Sequence, residues 1–341
     1  MSDGLKNIKD FTLNELTEWF MAEGQPAYRA KQCYKWIYSG VEDFSQMTDI
    51  PKNLREELSE RFYISAPQIA DKQISKDKTV KYLFRHRDGA LTETVVMSYK
   101  YGLSACISTQ VGCNMGCAFC ASTLDGKERD LSAGEIIDQL IFASRDMGER
   151  ISHVVLMGMG EPLDNYGNVL KFLSNVTNPI GLDFSGRNIS LSTCGLADKI
   201  KMLADEKLQL TLSVSLHSAF DGKRSEIMPV NRRYNIATLL NAVRYYIEKT
   251  GRRVSFEYTL IDGKNDTPAD AEKLASLLKG MLCHVNLIPV NNVREKNFKK
   301  SRNTEKFKEM LLKLGINATV RRELGSDIDA ACGQLRRRHN K

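Results

Sequence analysis

Beyond residue 104 the chain alternates between two hydrophobic periods, and no other feature limits its possible folds so narrowly. Short β-branched, apolar runs predict strands near 104–110, 153–158, 188–193, 210–216, 253–260 and 284–290. Helical spacing of apolar residues predicts helices near 132–147, 164–177, 196–205, 235–250, 267–280 and 303–314. A capping box, Ser132-Ala-Gly-Glu135, opens the first of these helices. Six strand-helix units joined by crossovers imply a parallel sheet, either doubly wound or rolled into a partial barrel. In both forms the functional residues belong at the C-terminal ends of the strands.

The segment before this body reads differently. A capping box at Thr12-Leu-Asn-Glu15 precedes an apolar stripe of Leu13, Leu16, Trp19 and Phe20. Pro26 suits the first turn of a second helix, and a third helix follows Pro51 with Leu54, Leu58 and Phe62 on one face. TVKYLFRH, a turn at Asp88-Gly89, and LTETVVMSY then predict a β-hairpin whose second strand carries Glu93. The expected divisions are a helical accessory domain over 1–75, a connecting hairpin over 76–103, the strand-helix body over 104–322 and a tail over 323–341.

A formal net charge of +7 comes from 49 basic and 42 acidic residues, so the surface is mixed with a modest positive excess. That permits a polyanionic partner without demanding one. Basic residues group at 232–233, 252–253, 294–302, 321–322 and 336–338. The opening MSDGLKNIKD has no signal-peptide core, and no apolar run reaches the roughly 18 residues of a spanning helix. A cytoplasmic protein without membrane contact is the expectation. In a reducing compartment the eight cysteines argue against a static disulfide framework. Cys33, Cys194 and Cys283 read as isolated buried residues.

Cys113, Cys117 and Cys120 stand together just after the first body strand, in STQVGCNMGCAFCAST. Spacings of three and two residues let one loop wrap three thiolates around an iron–sulfur cubane, and Gly112 and Gly116 permit the tight turns required. No fourth cysteine lies nearby in sequence, which leaves one iron open to an outside ligand. The competing readings are a zinc site completed by a remote residue such as Cys106, or a redox disulfide loop. The spacing resembles that of the radical-SAM superfamily. There the open iron chelates the amino and carboxylate groups of S-adenosylmethionine.

Met157-Gly-Met-Gly160-Glu161-Pro162-Leu163 follows the second strand. It lacks the third glycine of a dinucleotide fingerprint and resembles the glycine-rich GEP element of radical-SAM enzymes, which receives the methionine ammonium. Polar residues close three later strands: Ser190-Leu-Ser192-Thr193, Ser213-Val-Ser215-Leu216-His217-Ser218, and Asn286 through Asn291. Converging polar groups at strand ends are how such a body holds a small polar ligand.

Taken with Glu93, Cys106 and the terminal DIDAACGQL around Cys332, these motifs and the helical-unit segments YRAKQCYKWIY and FSQMTDIPKNLR resemble the RlmN group across nearly the whole chain. The resemblance implies a partial (β/α)6 radical-SAM barrel, one 4Fe-4S cluster on Cys113, Cys117 and Cys120, and S-adenosylmethionine as cofactor. It implies methylation of carbon 2 of adenine in 23S rRNA and tRNA, with two cofactor molecules per turnover. Cys332 would carry the methyl group, Glu93 would remove the ring proton, and Cys106 would release the product through a transient disulfide with Cys332. Gly160, Glu161, Ser192, Ser215, Leu216, His217 and Asn291 would contact the cofactor. A monomer served by an electron donor such as a flavodoxin is also implied. Val290 and Asn292 depart from the aromatic and proline that commonly flank the asparagine in that group, which leaves open the RNA path over the basic loop at 292–302. The related Cfr group, which modifies carbon 8, resembles the chain less well at Pro162 and Pro289. A non-enzymatic iron–sulfur RNA-binding protein would give Cys332 and Cys106 no role.

Overall fold

The computed structural model describes residues 4–291, 298–330 and 334. Its main sheet has ten strands in strict chain order. They are β1 (Gln68–Ile74), β2 (Val80–Arg85), β3 (Leu91–Tyr99), β4 (Gly102–Cys106), β5 (Ile151–Leu156), β6 (Ile189–Thr193), β7 (Thr211–Ser215), β8 (Val254–Leu260), β9 (Cys283–Pro289) and β10 (Ala318–Val320). Strands β4 to β10 run parallel, and β1 to β4 are successive antiparallel neighbours. The expected hairpin is thus β2–β3, extended by β1. That extra strand, QIADKQI, is polar and largely exposed at the sheet edge, so its apolar alternation is too weak to read from sequence.

Helices α1 (Leu13–Ala22), α2 (Ala27–Tyr38) and α3 (Lys52–Arg61) form the N-terminal unit. Around the parallel strands lie α4 (Ala133–Met147), α5 (Tyr166–Val176), α6 (Ala197–Asp205), α7 (Asp221–Ile227), α8 (Ile236–Thr250), α9 (Pro268–Leu278) and α10 (Thr304–Lys313). The capping boxes at Thr12 and Ser132 both form, each with its Glu at the third helical position. Sequence reading missed only the short α7, whose seven residues are too few for a helical period to register.

Side-chain alternation decides what this sheet encloses. Leu191, Leu212, Val214, Val254, Phe256, Tyr258, Val285 and Leu287 join the helices in one continuous apolar core. The intervening positions, Ser190, Ser192, Ser213, Ser215, Ser255, Glu257 and Asn286, turn the other way. A closed barrel fills its interior with layers of bulky apolar side chains. Here the inner row is polar, and the edge strands of the sheet do not pair with each other. The roll is nonetheless tight: Arg321, one residue past β10, reaches the sulfur of Met157, one residue past β5, at 3.4 Å.

The N-terminal unit is seated on α4 and α5 by the same core and by buried polar ties. Lys9 and Asp138 form an ion pair with neither side chain exposed, and Lys9 also donates to the Ser65 carbonyl at 2.7 Å. The Asn175 amide donates to the Phe11 carbonyl at 3.2 Å and accepts from the Tyr34 hydroxyl at the same distance. No helix among the described residues is long and apolar enough to cross a membrane. Removing one partner of the sealed ion pair strands the other charge, so Lys9→Ala is expected to cost about 3–5 kcal/mol. Combining Lys9→Met with Asp138→Leu should restore most of that loss; urea unfolding of the three proteins checks both expectations.

Candidate active site

The cysteine loop is closed at its base by two short antiparallel strands, Gln110–Gly112 and Lys127–Asp130. Gly112 sits at φ +78°, and a Cβ there would lie 1.9 Å from the Gly126 carbonyl oxygen. Only glycine allows the two limbs to approach so closely. Cys113 donates its backbone N–H to that same carbonyl at 3.2 Å, and Cys120 donates to the Cys117 carbonyl at 3.1 Å. A bond from the Ala118 N–H to the Ile227 carbonyl anchors the loop to the end of α7. Cys113, Cys117 and Cys120 all line one cavity of about 940 Å³, measured to its open mouth, inside the rolled sheet. Burial pushes the Cys113 thiol up to about 12 and the Cys117 thiol well above its usual range. Thiolates here need a cationic partner. Among the described residues no group of three His, Cys, Asp or Glu side chains is arranged to hold a single metal ion.

The turn after β5 forms the next wall. Its Gly158 and Gly160 press against the strand leading to the cysteines: a Cβ on Gly158 would meet the Ile107 carbonyl oxygen at 2.5 Å, and one on Gly160 the Gln110 side chain at 2.6 Å. Glu161 is buried, with one carboxylate oxygen accepting the Cys194 N–H at 2.7 Å and the other the Leu163 N–H at 3.1 Å. Its carboxylate therefore ties the β5 turn to the end of β6 while lining the cavity.

Ser192, Ser215, His217 and Asn291 line the same cavity from the ends of β6, β7 and β9. Leu216 does not: its side chain is buried in the apolar core, and its carbonyl accepts from Arg224. His217 has φ +55° and accepts the Thr259 N–H on Nδ1 at 2.8 Å. An accepting Nδ1 requires the proton on Nε2 in the neutral ring. Burial, reinforced by the nearby Arg224 charge, lowers its pKa to about 3 and keeps that ring neutral.

A second cavity of about 590 Å³ adjoins the first. Cys106 lines it, with Val95, Met97, Tyr99 and, from the tail, Ala330. Met157, Ile288, Asn291 and Arg321 line both cavities and so form their common wall. Val95 pairs with Cys106 across β3 and β4, which puts Glu93, two residues along β3, on the same sheet face as Cys106. Glu93 is buried 3.4 Å from the Lys81 ammonium, and Lys81 also donates to the Asp329 carbonyl in the tail at 3.4 Å. Cys332 itself, and residues 292–297 of the basic loop, lie outside the described residues.

Three participants escaped sequence reading. Arg224 looks like one charge in the polar stretch DGKRSE, yet it is fully buried and donates to the Cys194, Ser215 and Leu216 carbonyls at 2.8, 3.0 and 3.0 Å. It clamps the ends of β6 and β7. Cys194 is buried as expected but not isolated, since it lines the cavity of the cysteine triad. Glu257 offered a usable signal: a carboxylate in mid-strand between Phe256 and Tyr258 has to face something other than the helical layer.

Comparison with known proteins agrees with this geometry. The family model for the ribosomal RNA large subunit methyltransferase N-terminal domain matches residues 6–64, and that for the radical SAM superfamily matches 107–278. A curated relative from Clostridium perfringens, named "Probable dual-specificity RNA methyltransferase RlmN", is 54% identical over 99% of this chain and 98% of its own length. One of the same name from a Thermoanaerobacter species is 54% identical over 98% and 99%. A crystal structure of a radical SAM methyltransferase from Sphaerobacter thermophilus superposes with a TM-score of 0.92 at 44% identity, covering 98% of this chain and all of that one. With both family models matched in sequence order and full-length relatives above half identity, the chain belongs to the RlmN family of radical SAM methyltransferases.

Proposed function

We propose that the protein methylates carbon 2 of adenine in 23S rRNA and in tRNA, with Cys332 as the methyl carrier. The observation that carries this reading is the common wall: the triad cavity and the Cys106 cavity share Met157, Ile288, Asn291 and Arg321, and the tail enters the second cavity at Ala330, two residues before Cys332.

The residues present fit a 4Fe-4S cluster. Three thiols on one glycine-hinged loop supply three ligands, and a cubane gives each thiolate its own iron rather than a shared ion. Cys113, Cys117 and Cys120 would hold it. Bound there with S-adenosylmethionine, such a cluster would supply one-electron reduction of the sulfonium. Gly160, Glu161, Ser192, Ser215, Leu216, His217 and Asn291 are assigned to that cofactor, Leu216 as the core anchor that sets Ser215 and His217 on either side of it. His217 offers a fixed Nε2–H donor, and the Glu161 carboxylate an anionic edge to the cavity.

The remaining roles fall to the second cavity. The adenine carbon is not nucleophilic enough to take a methyl group from a sulfonium, so a carrier thiol, a base and a displacing thiol divide the task. Cys332 presents the S-methyl group from which hydrogen is lost. Glu93, held beside Lys81, takes the ring proton. Cys106 attacks the Cys332 sulfur; the sulfur–methylene bond breaks as the disulfide forms, and the freed carbon takes a proton to give methylated RNA, leaving the disulfide for reduction. The target base has to leave its stack to reach a barrel interior.

Assay of the anaerobically reconstituted enzyme with methyl-trideuterated S-adenosylmethionine is expected to give product retaining two deuterons. Retention of three would overturn transfer through Cys332. Cys106→Ala should abolish product release and accumulate a denaturant-resistant protein–RNA adduct on gel electrophoresis, whereas Cys332→Ala should give neither product nor adduct. Nucleoside mass analysis of RNA from expressing cells should find 2-methyladenosine; 8-methyladenosine alone would move the chain to the carbon-8 chemistry.

A further inference from the structure

We propose that Glu257 is a cofactor-binding residue, its free carboxylate oxygen accepting a hydrogen bond from a ribose hydroxyl of S-adenosylmethionine. The assignment rests on the functional reading above and extends it to a residue that no motif marks.

Glu257 lies in mid-β8, is 3% exposed and lines the triad cavity. Its Oε1 accepts from the Asn286 side-chain amide and the Ser255 hydroxyl, each at 3.3 Å. Its Oε2 is buried and makes no hydrogen bond of good geometry among the described residues, although the Ser213 hydroxyl and the Arg321 charge both act on the carboxylate. A buried carboxylate oxygen left without a donor carries the full cost of its lost hydration, and native proteins rarely leave one so. Because Glu257 lines the cavity, a ligand bound there can supply that donor.

Three parts of the cofactor can donate: the ammonium, the ribose hydroxyls and the adenine amine. The ammonium belongs beside the cysteine loop and the Gly160–Glu161 turn after β5, whereas Glu257 stands three strands further round the sheet. The adenine amine sits on a flat ring that needs flat apolar surface. The aromatic surface of the cavity is Phe119 set edge-on to His217, with ring centroids 4.8 Å apart. Around Glu257 the groups are hydroxyls, an amide and the Arg321 charge instead. Ser215 is its register partner on β7 and Asn286 its partner on β9, so both project on the same face. A vicinal diol suits that setting, because each hydroxyl can donate to a carboxylate and accept from a serine at once. Burial pushes the Glu257 carboxyl up, opposed by the Arg321 charge, and a hydroxyl donor on Oε2 favours the ionised form.

The test is calorimetric binding by the anaerobically reconstituted enzyme, which needs no turnover. The ligands are S-adenosylhomocysteine, its 2′-deoxy and 3′-deoxyribose analogues, and the analogue whose purine lacks the amine. Wild type should bind one of the deoxyribose ligands at least about tenfold more weakly than the parent, the scale of a charged hydrogen bond. Glu257→Gln, which keeps shape but loses charge, should shrink that ratio to about threefold or less. An unchanged ratio in the variant overturns the assignment, as does a variant that instead loses its preference for the amino purine. If the variant does not fold, equal wild-type affinities for the parent and both deoxyribose ligands overturn it as well. Failure of wild type to bind any of the four would overturn the S-adenosylmethionine-dependent reading itself, a result distinct from the others.

Discussion

A β-strand can bury only every second side chain on a given face, and that constraint organises this molecule. Once one face of the parallel strands is committed to the helices, the other face sets what the rolled sheet can contain. Ser192, Ser215, Glu257 and Asn286 exclude a dry interior. An interior of that kind is stable only where its polar groups find partners, either in neighbouring side chains or in a ligand. The protein supplies most of them itself, as Asn286 and Ser255 do for one oxygen of Glu257, and Thr259 for His217. Binding capacity and architecture are here the same property.

Rigidity at the site comes from charge placed where none is exposed. Arg224 holds carbonyls at the ends of two strands, and Glu161 holds amides at the ends of two. One is a donor fork and the other an acceptor pair, and both act on Cys194, from its carbonyl and its N–H respectively. The polar rim is therefore braced from both signs of charge, which adds to the apolar packing of Leu191, Val214 and Leu216 in fixing Ser192, Ser215 and His217. Charge-assisted bonds to backbone are well suited to this, since they are strong and directional.

How much of this was legible in the sequence follows from the range of each interaction. Period and capping are local, so the main helices, the hairpin and most of the parallel strands could be read within a residue or two, although the first was expected to run to 110 and ends at Cys106. The cysteine loop was equally plain, because spacing and glycine placement are properties of a few adjacent residues. The edge strand β1 was not, since its solvated face hides the alternation. Arg224 was invisible for a different reason: an arginine in a hydrophilic stretch looks solvated until the fold brings three carbonyls to it. The adjacency of Cys106 to the triad cavity depends on Arg321 reaching back across the roll to Met157, more than 160 residues away in the chain. Beforehand Cys106 stood out only as a possible remote zinc ligand, and its place in this chemistry came from the family resemblance alone.

Each strand of the sheet pairs with its own neighbour in the chain, from β1 through β10. Such an order can be laid down from one end to the other as the polypeptide is synthesised, each new strand finding its edge already made, without waiting for a distant partner. The wall shared by the two cavities is the exception, since it needs Met157 and Arg321 together. Emergence of the chain from the ribosome would therefore complete the enclosure around the triad only with the last strand, so that a nascent chain holds no finished chamber while its tail is still being made.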